Sequence, residues 1–347
     1  MRKHLMIAMC VAVATGATLP AETVTIDPGN GVATNVTERF TGEMDLVVNS
    51  GSSGGGIVRL NTLNSYSGTT TLGCGTLVAG AMSATGHVSS VGADGLVKVG
   101  PGTFRYDGPA GGWTDRPFTN TPDKAHAAIF DISNELTLAG NIQQTLGSFV
   151  KTGPGTLHLA ASGTNTLGKS SSLTDSTYGQ GVRARWVPNA NGGSPTVGFR
   201  SFYVLEGKVV IGEGGGTYLI GGGNDPSVGG WTVADGEQEK EATLEIVGGN
   251  VEFAGWMMQG ACNGSTNTTP DRVPQSTVRV KGGRLYTGSS YSLGRNKLGY
   301  ATFPMHSRPR LEVQGGELYV KGQLVNGDDR GAHSTIEVTG GKVTATK

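Results

Sequence analysis

The segment Thr243–Gly260, "TLEIVGGNVEFAGWMMQG", decides the fold because its pattern returns three times further along the chain. "TVRVKGGRLYTGSSYSLG" starts at Thr277, "RLEVQGGELYVKGQLVNG" at Arg310 and "TIEVTGGKVTATK" at Thr335. Each copy opens with alternating apolar and polar residues, reaches Gly-Gly, and resumes alternation. In three copies the second glycine (Gly249, Gly283, Gly316) is followed at one constant spacing by another (Gly260, Gly294, Gly327), while the linkers that follow, 261–276, 295–309 and 328–334, differ in length. A unit of constant length with variable insertions at one point is the mark of stacked coils carrying loops on one side.

Alternation assigns the side chains to faces. Leu244 and Ile246, Val278 and Val280, Leu311 and Val313, Ile336 and Val338 are expected to stack in one interior ladder. Val251 and Phe253, Leu285 and Thr287, Leu318 and Val320, and Val343 form the next; Met257, Tyr291 and Leu324 mark a third. Gly-Gly suits the corners, where the bend needs backbone angles that glycine reaches cheaply. A hairpin-built sandwich or propeller is the competing architecture, but units of about 25 to 34 residues suit parallel coils better than two-residue hairpin turns.

Composition agrees. Glycine accounts for 59 of 347 residues, well above ordinary usage near 7%. Short runs rich in Val, Ile, Leu and Thr alternate with Gly-rich turns, and no stretch has a sustained helical period with caps. The fold class is therefore all-β. The N-terminus, Met1-Arg2-Lys3-His4 followed by an apolar run from Leu5 to about Thr15, has the form of a secretory signal peptide ending at Ala17 or Ala21. We set residues 1–21 aside as a leader and expect a secreted or cell-surface protein with no membrane-spanning segment beyond the leader. Without Arg2 and Lys3 the chain carries 25 basic and 27 acidic residues, which leaves no electrostatic footprint for nucleic acid. Cys74 and Cys262 remain, far apart in the chain, and small buried cysteines often only fill space.

The N-terminal half has a related repeat. "VKVGPGTFRYDG" from Val97 and "VKTGPGTLHLAASG" from Val150 share most positions, and "GCGTLVAG" from Gly73 has the same Gly-x-Gly-Thr core. The segment Glu135–Gly168, "ELTLAGNIQQTLGSFVKTGPGTLHLAASGTNTLG", resembles the autotransporter-associated β-strand repeat of bacterial surface and secreted proteins. Asn64, Tyr66, Gly68, Thr69, Gly75, Thr76 and Leu77 are similar to its other half. The resemblance implies a right-handed, single-stranded parallel β-helix, a β-solenoid, acting as an adhesin-like or passenger scaffold. About 25–35 residues per coil would give roughly 9–13 coils at about 4.8 Å each. The organisation expected is autotransporter-type repeats over 22–168, irregular insertions over 169–242 and Gly-Gly repeats over 243–347. Such passengers usually precede an outer-membrane barrel; none follows here, and the chain stops in the middle of the repeat unit, so we expect a longer parent protein or a frayed last coil.

Chemistry-bearing residues are sparse. No His-x-x-x-His or Cys-x-x-Cys spacing suggests a metal, and no cofactor is expected. "NGDDRGAHS" gathers Asp328, Asp329, Arg330 and His333, which have the residue types of β-helical polysaccharide hydrolases and lyases; turn formation explains the same residues more simply. Trp113, Trp186, Trp231 and Trp256 fall in or beside expected loops, where an indole can stack on a sugar ring or plug a coil. The loops Gly221–Glu241, Ala261–Ser276, Arg295–Pro309 and Asp328–Ser334 should leave successive coils at one point and form a ridge. Its candidate ligand-contacting residues are Trp231, Arg272, Arg295, Lys297, His306, Arg308, Asp328, Asp329, Arg330 and His333, with glycans or a cell surface as partners. A non-catalytic scaffold is the leading reading, and a carbohydrate-binding or polysaccharide-active β-helix the alternative.

Overall fold

The structure is a computed structural model; it describes residues 22–51, 55–122, 127–144, 146–168, 202–204, 206–221, 230–232, 241–255, 257–259, 275–293, 308–326 and 334–347. Every strand-to-strand pairing among these is parallel and joins one coil to the next, apart from an isolated antiparallel bridge between Asn64 and Ser89. Among the described residues no strand pairs with its sequence neighbour in a hairpin. The architecture is a stack of parallel sheets in sequential order, as in a β-solenoid.

Three faces carry the coils. Sheet I is the longest, with 11 strands running from Ala33–Val36 to Leu324–Asn326. Sheet II has 8, from Gly112–Thr114 to Thr335–Val338. Sheet III comprises two six-stranded parts, from Glu22–Ile26 to Ile142–Gln144 and from Thr164–Leu167 to Lys342–Ala345. At the seam between them side chains replace the backbone ladder: Asn165 Oδ1 accepts from the Ile142 amide at 2.8 Å, and Thr166 Oγ1 from that of Gln144 at 3.0 Å. Eleven rungs at about 4.8 Å make a rod on the order of 50 Å long.

The interior ladders are those that alternation predicts. Leu244, Val278, Leu311 and Ile336 pair in register on sheet II, and Val251, Leu285, Leu318 and Val343 on sheet III. Met257, Tyr291 and Leu324 align on sheet I. All are buried except Ile336, Val343 and Leu324 on the last rungs, which are half-buried; Val338 is exposed.

Coil length differs from the sequence expectation. Leu136 pairs with Leu157 across a coil shorter than any expected, whereas Leu157 pairs with Val209 across a coil that takes in the whole of 169–201. Three short strands and three corners fit within a coil as brief as 136–157; longer coils contain insertions. The Gly-Pro-Gly-Thr motifs also prove to be interchangeable corner devices. Gly100–Thr103 turns the chain from sheet III into sheet I, but Gly153–Thr156 turns it from sheet I into sheet II. Within 169–242, strands Phe202–Val204, Gly207–Ile211, Thr217–Ile220, Gly230–Thr232 and the start of Glu241–Ile246 continue the stack.

The Gly-Gly corners lie directly above one another. Gly283 has φ +65°, and a Cβ there would sit 2.4 Å from the backbone carbon of Gly248 one coil below. Both the dihedral and the close approach exclude a side chain. Gly283→Ala is therefore expected to cost about 2–3 kcal/mol in denaturant unfolding; a loss under about 0.5 kcal/mol would show that the corner can relax.

Candidate functional site

The corner between sheets I and II is where the linkers of variable length fall in the C-terminal sequence. Thr232, Gln259, Leu293 and Asn326, the last strand residues on sheet I, pair in register on four successive rungs. Glu241, Gln275 and Arg308, where the chain rejoins sheet II, are likewise in register. The expected loop segment Gly221–Glu241 is divided by the strand Gly230–Thr232, so only 233–240 belongs to this corner.

Of the expected ligand-contacting residues, Arg308 is exposed as the first residue of its sheet II strand. Trp231 lies not in a loop but in a strand, in register between Tyr203 and Met258 on sheet I. That strand is short and set between a glycine pair and a polar run, so no alternation in the sequence reveals it. Arg272, Arg295, Lys297, His306, Asp328, Asp329, Arg330 and His333 lie outside the described residues. So do Trp186, the side chain of Trp231, and Trp256 and Cys262. Cys74 is a buried free thiol.

Sheet II carries on its outer face a charge ladder whose signs alternate along the axis. Glu245, Arg279 and Glu312 are direct register partners. Glu245 receives Lys281 Nζ at 2.7 Å, Arg279 Nη1 at 3.1 Å and Lys208 Nζ at 3.1 Å. Arg279 Nε donates to Glu312, which also binds Arg310 Nε at 2.6 Å; Arg310 reaches Glu337 at 2.6 Å. Long side chains lie over the acids, leaving Glu245 and Glu312 each only 4% exposed.

Burial pushes the Glu245 carboxyl up, but hydrogen bonds from Lys281, Lys208 and Arg279 outweigh it and hold the carboxyl at about 2. Arg279 likewise holds Glu312 below the usual carboxylate range. A depressed carboxylate stabilises the fold above its unfolded value and loses that contribution as pH falls toward the folded one. The stability gap between the native chain and Glu245→Gln should accordingly be about 2 kcal/mol at pH 7 and shrink between pH 4.5 and about 2. A pH-independent gap in urea titrations would contradict this.

A second group stands on the same face, nearer the N-terminus. Trp113, Thr137 and His158 form one outward row across three strands. His158 lies between two carboxylates, with Nδ1 at 2.9 Å from Glu213 and Nε2 at 3.2 Å from Glu135. Trp113 is 42% exposed. The sequence singled out Trp113, but its strand neighbours are distant in sequence and only the register unites them.

Inside the stack, polar side chains serve the corners. Lys151 occupies a core position opposite Phe130 and donates from Nζ to the carbonyls of Gly153 at 2.7 Å and Glu206 at 2.9 Å. Burial pulls its ammonium down to about 7, against the opposing charges of Glu206 and Asp131. Between pH 7 and its unfolded value of 10.5 the unfolded chain binds the extra proton, so stability rises with pH in that window. Relative to Lys151→Met, the native chain should gain on the order of 3 kcal/mol between pH 7 and pH 10. A flat difference would place the amine in water. Gln259 plays a similar part, donating to the carbonyls of Ser276 and Arg310, each at 2.8 Å, and accepting from the Tyr291 hydroxyl at 2.5 Å.

Among the described residues no group of three or more His, Cys, Asp or Glu side chains is arranged to hold a metal ion, and no helix is long and apolar enough to cross a membrane. Comparison with family models, with curated proteins and with solved structures finds no match to this chain.

Proposed function

We propose that this chain is a non-catalytic scaffold, a right-handed single-stranded β-solenoid exported by the leader at residues 1–21 and displayed outside the cell in the manner of an adhesin or passenger. One observation carries the reading: the most enclosed outward carboxylates, Glu245 and Glu312, and with them Asp131, are committed to basic neighbours. Glu245 and Glu312 are bound by arginine and lysine from adjacent rungs, and Asp131 by Arg105 at 2.7 Å. Acids neutralised in this way hold coils in register; a general acid must instead retain a proton. The stacked interior gives an extended rod, and the variable linkers between sheets I and II let sequence change without disturbing the core.

That same corner favours the second reading, a carbohydrate-binding solenoid, because the strand ends Thr232, Gln259, Leu293 and Asn326, after which the sequence carries its insertions, pair in register on successive rungs. Incubation of the full chain with pectin, xylan, alginate and chitin separates the two. A scaffold releases no new reducing or unsaturated ends from any of them; turnover of one would overturn the non-catalytic reading. Export is tested by fractionation with N-terminal sequencing, expected to find the mature chain outside the cytoplasm and starting after Ala17 or Ala21.

A further inference from the structure

We propose that the outward patch formed by Trp113, Thr137, Glu135, His158 and Glu213 binds a neutral saccharide at least two pyranose rings long. The proposal adds a ligand site to the scaffold and does not depend on the scaffold being inert.

The indole of Trp113 projects from a strand of sheet II, fixed in register with its neighbours, and 42% of the residue is open to solvent. A rigid, exposed aromatic plane offers apolar area to the CH face of a sugar ring at little conformational cost. Neighbouring rungs lie about 4.8 Å apart, so Thr137 is one rung from Trp113 and His158 two, roughly 10 Å along the axis. That span suits two linked pyranoses lying along the rod, one over the indole and the next beside the histidine.

Hydroxyl groups need acceptors at the second position, and the carboxylates supply them. Glu135 and Glu213 each commit Oε1 to His158, leaving Oε2 without a partner among the described residues. Their side chains are 44% and 40% exposed, so the free oxygens are within reach of a ligand. The Thr137 hydroxyl stands between the two ends. His158 holds both carboxylates in place through one oxygen of each. Hydroxyls need only lone pairs, and those remain.

The test uses the full mature chain carrying 5-fluorotryptophan, with the Trp113 fluorine resonance identified by its loss in Trp113→Phe. Cellohexaose, chitohexaose and mannohexaose are titrated separately, alongside tetramethylammonium. At least one hexasaccharide should shift the Trp113 resonance saturably. By calorimetry Trp113→Ala should weaken that binding about tenfold or more and Glu213→Gln about threefold. Leu219→Ala, an exposed apolar side chain on sheet III, should leave it unchanged. The proposal is overturned if no hexasaccharide moves the resonance, if only tetramethylammonium does, or if Trp113→Ala binds as the native chain does. Cleavage of the bound saccharide would overturn the non-catalytic reading and leave this site standing.

Discussion

Arg116→Met should destabilise the N-terminal coils by about 3–5 kcal/mol, a cost that few other single replacements in this chain would match. Arg116 is fully buried, and its guanidinium donates to an enclosing set of oxygens on the preceding coil: Gly92 O at 2.7 Å, Ala93 O at 2.8 Å, Ser89 Oγ at 2.9 Å, His87 O at 3.1 Å and Val91 O at 3.2 Å. Segment 87–93 curls around the charge, so its carbonyls face inward where water does not reach them. Burial lowers the pKa of the guanidinium, with partial compensation from Tyr66, Asp94 and Asp115. Removing it leaves several acceptors unsatisfied at once. Arg116→Lys keeps the charge but loses the fork that spans these acceptors, and is expected to cost about half as much. Hydrogen exchange should show the loss concentrated at residues 87–93, because each coil of a stacked repeat depends chiefly on its neighbours. A destabilisation under about 1 kcal/mol by either variant would show that the carbonyls have other donors.

Phe149→Ala is the second large effect, expected at about 3–5 kcal/mol. Phe149 stacks on Phe130 with ring centroids 4.9 Å apart and on Phe202 at 5.5 Å, the planes within 20° and 8° of parallel. Phe104 and Phe118 extend the cluster toward the N-terminus, and Phe253 meets Phe202 at its other end. The stack bridges the coils on either side of the segment 169–201, where sheet I continues directly from Phe149 to Phe202. Truncating the central ring opens a cavity that a close-packed interior fills poorly. A double-mutant cycle with Phe130→Ala should give a coupling of about 0.5–1.5 kcal/mol. Additive losses would mean that the rings pack independently.

Much of this architecture was legible in the C-terminal repeats. There the period of two and the Gly-Gly corners point to the same face assignment, and Leu244, Val278 and Leu311 lie where alternation puts them. The charge ladder was legible too, since Glu245, Arg279 and Glu312 hold the same position in aligned repeats, though only the parallel register makes that position an ion pair. Other features had no local signal. Lys151 and Arg116 are of types seldom fully buried, yet both point inward because their neighbours in the strand or corner fix the side. The Gly-Pro-Gly-Thr motif specifies a bend without specifying which corner, so Val97 and Val150 looked equivalent and are not. Trp113, His158 and Glu213 meet only through pairing between coils, a relation that spacing along the chain does not encode.

Distance measurement between paramagnetic labels at Thr137 and Glu337 tests the parallel stack most directly. The two positions share one outward row of sheet II, connected through His158, Val210, Glu245, Arg279 and Glu312 by successive register pairs. Six rungs separate them, so the account predicts a single narrow distribution centred at about 29 Å, broadened only by the label linkers. A distribution centred below about 20 Å, as hairpins folding the chain back on itself would produce, would contradict it.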